Sequence, residues 1–531
     1  MSENNIDVLI VGAGPVGLFC ANEVTRHGLT CRIIDKKSMI SDKSKALAIH
    51  IRTLDVLEDC GLIDEFLKQG QRILGVVFKS KGKKLLHANY EGVKSDRHFL
   101  IDLPQNQTEA ILYQHLQNKG IEVDWETELT QFSQSQNGVS ATIKKQENKT
   151  EIVNANWLIA CDGSHSTIRH LLNAEFKGSS YQQAWWLADL LVDWEIPDNQ
   201  MTVYISDRGP LACFPMGNKR YRFVLTAPQN GTSTPSMADI EQEFKHRSSD
   251  SATFSNPMWI TQFSIHHRQI QQYRHDRVFI AGDAAHIHSP MGGQGLNTGM
   301  QDIYNLIWKL SLVAKKKAKP ELLDSYHAER FRIGQEVLKK TDHMTRLIQM
   351  TNPLAITLRN ALIRLITSSK TVRNFLATDI AELNISYAKS PIVHQSGSLK
   401  KLSAGKFLPN FQLVDNETQK TANRNAILKD TLHHLFIFIG EETENSAQLM
   451  TLAQTFAEQY AQILQVHLVV FNKVESANQS LKIWLDTQKQ VHQSFGITQQ
   501  TLLLIRPDKY IGILQTPINK EEFMKDLYLL S

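Results

Sequence analysis

The segment from Val8 to Asp35 limits the possible folds more than any other part of this 531-residue chain. Val8, Leu9, Ile10 and Val11 form a short apolar run that ends at Gly12-Ala13-Gly14-Pro15-Val16-Gly17. A helical pattern carrying Leu18 and Val24 follows, and a second run, Cys31-Arg32-Ile33-Ile34, ends at Asp35. This order predicts a βαβ unit of the dinucleotide-binding kind. Gly12 permits the tight turn, Gly14 lets a pyrophosphate approach the backbone, and Gly17 allows close helix-to-strand packing. Asp35 is then placed to bind a free ribose 2′-hydroxyl.

Two more segments repeat the pattern of strand, turn and helix. Phe279, Ile280 and Ala281 read as the end of a buried strand, Gly282 turns the chain, and Asp283 offers a carboxylate to a polyol such as a ribityl chain. Downstream, Gly292, Gly293 and Gly295 bare backbone N–H groups where a helix begins, and the helix dipole adds positive potential there. The anionic pyrimidine edge of a reduced flavin needs such a partner. Between the two, Trp157-Leu158-Ile159-Ala160-Cys161-Asp162-Gly163 reads as a strand and an Asp-Gly turn, followed by a helix start capped by Ser164 or Ser166.

With these three motifs in order, the chain resembles the class A (single-component) flavoprotein monooxygenases, FAD-dependent aromatic hydroxylases, in the phenol hydroxylase-like branch that carries a thioredoxin-like C-terminal domain. The resemblance implies that Gly12, Gly14, Gly17 and Asp35 bind the ADP part of FAD. It associates Asp162, Gly163 and Arg169 with FAD and the nicotinamide donor, and gives the ribityl chain to Gly282 and Asp283. Pro290 and the backbone from Gly293 through Gly295 and Leu296 to Asn297 would lie against the isoalloxazine. The segment from Lys43 to Leu54 looks like the family's flavin-contacting loop and helix, with Lys45 where Arg is usual, His50 where Gln is frequent, and Arg52 on the helix. Lys45 keeps the charge but loses the planar fork. Leu103-Pro104-Gln105-Asn106-Gln107 resembles the flavin-side glutamine segment, and Gln105 rather than Gln107 is aligned with it.

The expected class is α/β: a Rossmann-like FAD-binding domain interleaved with a β-sheet substrate domain, a helical region and the thioredoxin-like tail. The boundaries read as 1–75, 101–175 and 276–345 for the FAD-binding domain, 76–100 and 176–275 for the substrate domain, 346–395 for the helical linker, and 400–531 for the tail. Strand patterns around Tyr204, Phe214, Pro215 and Arg222 offer an aromatic substrate apolar faces and a polar anchor, although sheet aromatics also serve as plain core. His266 and His267, at the end of the expected pocket strand, are the candidates for a general base.

Composition agrees with a globular enzyme: 42% hydrophobic, 21% charged and a net charge of +4. That small charge gives no reason to invoke nucleic acid, and Lys315, Lys316, Lys317 and Lys319 read as cations ending a helix. His286 and His288 lack a third ligand at a suggestive spacing, so no metal is expected. Five scattered cysteines, Cys20, Cys31, Cys60, Cys161 and Cys213, and a start with no apolar leader point to the cytoplasm. No cysteine follows Cys213, so the tail cannot perform dithiol chemistry. Basic residues lie among Leu and Ile at 325–382, but Pro353 breaks the run, and a docked helical layer is expected rather than a membrane-surface helix. The helical region or the tail offers a surface for a homodimer.

The resemblance implies that NADPH or NADH reduces FAD, and that a flavin C4a-hydroperoxide made with O2 hydroxylates a phenolic or polycyclic aromatic substrate. Two other readings stand beside it. An NAD-dependent dehydrogenase would need only the amino-terminal fingerprint and leaves the Gly282-Asp283 segment unexplained, and a non-catalytic flavin-binding scaffold would keep the glycines without turnover.

Overall fold

A computed structural model describes all residues except 1–5, 43, 147–148, 182, 229–233, 290–291, 351, 441–445, 475–480, 528 and 530–531. The chain divides into two compact units, the first comprising Met1–Thr25, Thr30–Ile303 and Phe331–Leu383, the second Arg26–Leu29, Tyr304–Arg330 and Asn384–Ser531. Residues 304–330, expected with the FAD-binding segments, group instead with the tail.

In the first unit the strand Ile6–Val11 pairs in parallel with Cys31–Ile34 on one side and with Thr150–Ala160 on the other. Val278–Ile280 adds a further parallel strand beside Thr150–Ala160. Val8, Leu9, Ile10, Leu158, Ile159 and Ala160 are fully buried, as continuous apolar runs in a parallel sheet must be. The register joins Val11 to Ala160 and Ala160 to Ile280, so the three strands end level. Gly12, the Asp162-Gly163 turn and the Gly282-Asp283 turn therefore lie along one sheet edge, at the carboxyl ends where open α/β sheets bind ligands.

A second sheet has the order Thr253–Phe263, Trp185–Asp193, Arg220–Thr226, Gly209–Pro215, Gln200–Ser206, Gly75–Ser80 and Lys83–Asn89. Side chains alternate across it. Tyr204, Leu211, Cys213, Tyr221, Phe223 and Leu225 face a core that includes Ile240 and Phe244 of the helix Met237–Arg247. Val203, Ile205, Ala212, Phe214 and Val224 face the opposite core, with Ala48, Ile51 and Leu100. The helix is started by a capping box between Ser236 and Asp239.

The second unit holds an eight-stranded sheet in which His433–Phe438 and Leu464–Val470 run parallel, connected through the helix Ser446–Gln459. It also holds a buried ion cluster. Glu329 accepts from Arg506 Nη1 at 2.6 Å, Lys309 Nζ at 2.8 Å and Asn305 Nδ2 at 2.6 Å. Asp508 accepts from Arg506 Nε at 3.0 Å and Trp308 Nε1 at 3.1 Å. Burial alone would raise the Glu329 pKa, but Arg506 and Lys309 hold it well below the usual carboxylate range. Burial lowers Lys309 to about 8.

Candidate functional site

The fingerprint glycines are fixed by contact. A Cβ on Gly17 would stand 1.8 Å from the Gly12 carbonyl oxygen, and one on Gly12, which has φ +102°, would meet Cys161 O at 2.4 Å. A Cβ on Gly14 would meet nothing within 4 Å. The turn is thus closed on its protein side and open where a pyrophosphate would lie. Asp35 accepts from Ala13 N at 2.7 Å and Lys37 N at 2.9 Å, which sets its carboxylate at the end of the second strand.

The Asp162-Gly163 turn leads into the helix Thr167–Leu171, and Ser166 is the residue that caps it, accepting from Arg169 N at 3.0 Å. Asp162 accepts from Ile168 N at 3.2 Å through one oxygen, while the other is buried without a partner and burial raises its pKa. Arg169 donates to Ala284 O at 3.1 Å and Ser164 O at 2.7 Å, and lies 4.1 Å from the centroid of the Phe176 ring. Its guanidinium therefore ties the Asp-Gly turn to the Gly-Asp turn. Asp302 supports that second turn from the long helix Gly295–Ala314, accepting from Gly282 N at 3.1 Å and bonding His286 Nε2 at 2.7 Å. Asp283 is exposed at this turn.

The flavin-contacting segments expected from the sequence are knitted together. Gln105 donates from its backbone N–H to Ser44 Oγ at 3.0 Å, its Oε1 accepts from Ala46 N at 3.0 Å, and its Nε2 donates to Glu109 at 2.8 Å. Gln105 thus braces the loop that bears Lys45. Asn297 accepts from His50 N at 2.9 Å and donates to Ala48 O at 2.9 Å and Gly293 O at 2.8 Å. Gly293, at φ +65°, brings this loop so near the strand Ala48–Ile49 that a Cβ would stand 2.9 Å from that of Ala48. Gly295 and Leu296 open the helix, and Leu296 is buried. His50 Nε2 lies 2.7 Å from Gly292 O; since a carbonyl only accepts, that nitrogen carries the proton. Arg52 pairs with Asp55 at 2.9 Å within its own helix. Pro290, with its neighbour Met291 and with Lys43, lies outside the described residues.

The four expected wall residues do not come together. Phe214 is in register with Arg222, and Arg222 grips Asp189 through Nε at 2.8 Å and Nη2 at 2.9 Å while Nη1 donates to Lys45 O at 2.9 Å. Tyr204 instead sits in the opposite core, with its hydroxyl on Asp250 and its ring against Phe244, and Pro215 is in register with Tyr221 of that core. The two-residue period of the sheet separates them. Nor are His266 and His267 on this sheet. They belong to a three-stranded sheet with Phe176–Ser180 and His286–Ile287, where His266 Nδ1 lies 2.8 Å from Ser180 Oγ and burial lowers the His267 pKa.

Several residues on these faces escape sequence reasoning. Asp102 is buried with both oxygens unpartnered, and burial pushes its carboxyl pKa well up against the opposing pull of Arg222. The nearby Tyr90 hydroxyl is likewise buried and unpartnered. A lone acid inside an apolar run, as in Leu100-Ile101-Asp102-Leu103 and Leu187-Ala188-Asp189-Leu190, is the available signal.

Buried neutral imidazoles set the acid tolerance of the fold. Burial lowers His50 and His288 to about 4 and, in the second unit, His433 to about 3. Unfolded chains take up these protons near the ordinary value of about 6.5, so stability falls from there downward until the folded values are reached. Each such histidine costs about 2.7 kcal/mol over a two-unit fall in pH. Calorimetry from pH 7 to 4.5 is expected to give a steadily falling melting temperature, and a flat profile would mean that these rings reach water.

Comparison with known proteins agrees with this geometry. Residues 5–341 match the family model described as FAD binding domain, a span that holds both glycine-rich segments. The chain is 30% identical over 520 residues to 6-methylpretetramide 4-monooxygenase of Streptomyces rimosus, covering 95% of this chain and 90% of that one. It is 28% identical over 512 residues to pentachlorophenol 4-monooxygenase of Sphingobium chlorophenolicum, covering 95% and 93%. The solved structure of OxyS anhydrotetracycline hydroxylase from Streptomyces rimosus superposes with a TM-score of 0.77 at 28% identity, over 99% of both chains. A dehydrogenase built on the amino-terminal fingerprint alone leaves these matches unexplained, and the chain belongs to the FAD-binding-domain family of flavoprotein monooxygenases.

Proposed function

We propose that this FAD- and NAD(P)H-dependent monooxygenase hydroxylates a phenolic, polycyclic aromatic substrate against the sheet face that carries Phe214 and Arg222. The observation that carries this reading is the fixed Arg222–Asp189 fork beside Phe214, with the unpartnered Asp102 carboxyl close by. A planar ring gains an apolar face from Phe214, and Asp102 is the group able to hold or accept a phenolic proton. The names of the relatives, which include pentachlorophenol, 6-methylpretetramide and anhydrotetracycline, support an aromatic substrate.

The residues present fit FAD: open space over Gly14, an unpartnered Asp162 oxygen and the exposed Asp283 line the edge where its parts would lie. Gly12, Gly14, Gly17 and Asp35 would hold the ADP part, Asp162 and Asp283 the middle, and the backbone from Gly293 to Asn297 the ring system. When bound, FAD supplies the electron transfer and oxygen activation that no side chain can. Lys45 and the helix start at Gly295 would give a bound flavin ring positive potential, and Arg222 holds Lys45 through its carbonyl. The tail fits a thioredoxin-like module in its parallel pair and the antiparallel strands Thr501–Ile505 and Ile511–Gln515, with a structural or interface role.

Stopped-flow absorbance with NADPH or NADH and a panel of phenols and fused-ring phenols tests the reading. Flavin reduction accelerated by one compound class, with about one hydroxylated product per nicotinamide consumed, is the expected result. Peroxide formation with every compound would reject the substrate class. In the same assay Asp102→Asn is expected to lower kcat by about a hundredfold with little change in flavin reduction, whereas Tyr204→Phe, on the other face, leaves KM unchanged.

A further inference from the structure

The helix Pro353–Thr367 turns its apolar side outward. Leu354, Leu358, Leu362, Leu365 and Ile366 are 82, 72, 52, 72 and 47% exposed, and helical periodicity places all five on one face. Ile356, Arg359 and Thr367 are buried on the inner side, so the helix is docked and the outer stripe is surplus to its packing. Phe375, on the following helix Lys370–Ile380, is 62% exposed. A contiguous apolar patch of this kind marks an interaction surface.

The charge beside the stripe is predominantly positive. From Asp342 to Asp379 the sequence has no intervening acid; Arg346 pairs with Asp342 at 2.9 Å and Arg359 is buried, which leaves Arg364, Lys370 and Arg373 beside the stripe. Arg364, Lys370 and Arg373 line a cavity of about 550 Å³ together with Lys84 and His87, and Glu91 is its one carboxylate. Arg373 donates to Thr367 O at 2.6 Å and Ser368 O at 2.8 Å, closing the end of the first helix. Among the described residues no carboxylate pairs with Arg364 or Lys370.

From this we propose that the stripe and its cationic border form a docking surface for an anionic lipid bilayer. Leucines entering the acyl boundary beside arginines and lysines at the headgroups is the physical pattern of an interfacial helix. A second copy of this chain suits the surface less well. A two-fold contact through the stripe would crowd the Arg364 and Lys370 side chains of both copies with no acid in the segment to pair them. No helix among the described residues is long and apolar enough to cross a membrane, so attachment is to the surface.

Flotation of the holoenzyme with vesicles tests the proposal, comparing phosphatidylcholine alone with an equal mixture of phosphatidylcholine and phosphatidylglycerol. Binding to the mixture, weak binding to phosphatidylcholine and loss at high salt are expected. Leu358→Asp with Leu362→Asp should weaken binding by more than about tenfold while sparing melting temperature and turnover in buffer, because both side chains are exposed. Arg364→Gln and Lys370→Gln keep the stripe and should each weaken binding roughly fivefold. Failure of the wild-type enzyme to float, or flotation indifferent to all four exchanges, overturns the proposal. So does a concentration-dependent dimer that Leu358→Asp abolishes, seen by light scattering without vesicle binding.

Discussion

Exchange of Gly14 for valine is expected to weaken FAD binding by about a hundredfold, equivalent to about 2.7 kcal/mol, while the apoprotein melts as before. A Cβ at this position meets no protein atom within 4 Å and needs no positive φ, so the polypeptide accommodates it. The added side chain instead fills the space through which a pyrophosphate must approach the backbone. Gly17→Ala behaves in the opposite way. Its Cβ would stand 1.8 Å from Gly12 O, so helix and strand must separate, with a loss of roughly 3 kcal/mol or more in the apoprotein. Titration of each apoprotein with FAD, followed by flavin fluorescence, and thermal melts without cofactor distinguish the two. Wild-type FAD affinity in Gly14→Val would mean that the pyrophosphate takes another path.

The other large effect is expected in the second unit, where Glu329→Gln should cost about 3–5 kcal/mol because it removes one partner from a buried ion cluster. Arg506 and Lys309 would then keep two positive charges against the single carboxylate of Asp508. Arg506→Met leaves the reverse imbalance and should cost a similar amount. The double exchange, Glu329→Gln with Arg506→Met, leaves Lys309 facing Asp508 and should be less damaging than the two single losses added together, with a coupling of about 1–3 kcal/mol. Urea denaturation of the three variants measures this. A loss below about 1 kcal/mol for Glu329→Gln would indicate that water relaxes into the cluster.

The limits of sequence reading follow from how far each pattern reaches. Gly12, Gly17 and the strand endings near Ala160 and Ile280 are legible because a tight turn and a buried parallel strand impose local rules on the residues that form them. The motif match marks Gln105 as a flavin-side residue and gives no sign that its amide is occupied by Ala46 and Glu109, where it braces the Lys45 loop. The wall was legible as strands but not as a surface. Alternation puts Phe214 with Arg222 and turns Tyr204 and Pro215 away, and which face meets which core depends on register with distant strands.

Local chemistry along the chain therefore settled the βαβ unit, the glycine turns and the family, since each depends on neighbouring residues and a fixed period. Folding in three dimensions settled which charges meet. Asp189 beneath Arg222 and Glu329 against Arg506 are pairs whose members lie 33 and 177 residues apart. No local spacing rule connects such residues. Burial makes an unpaired charge too costly, and only the packed fold shows where its counter-charge arrives.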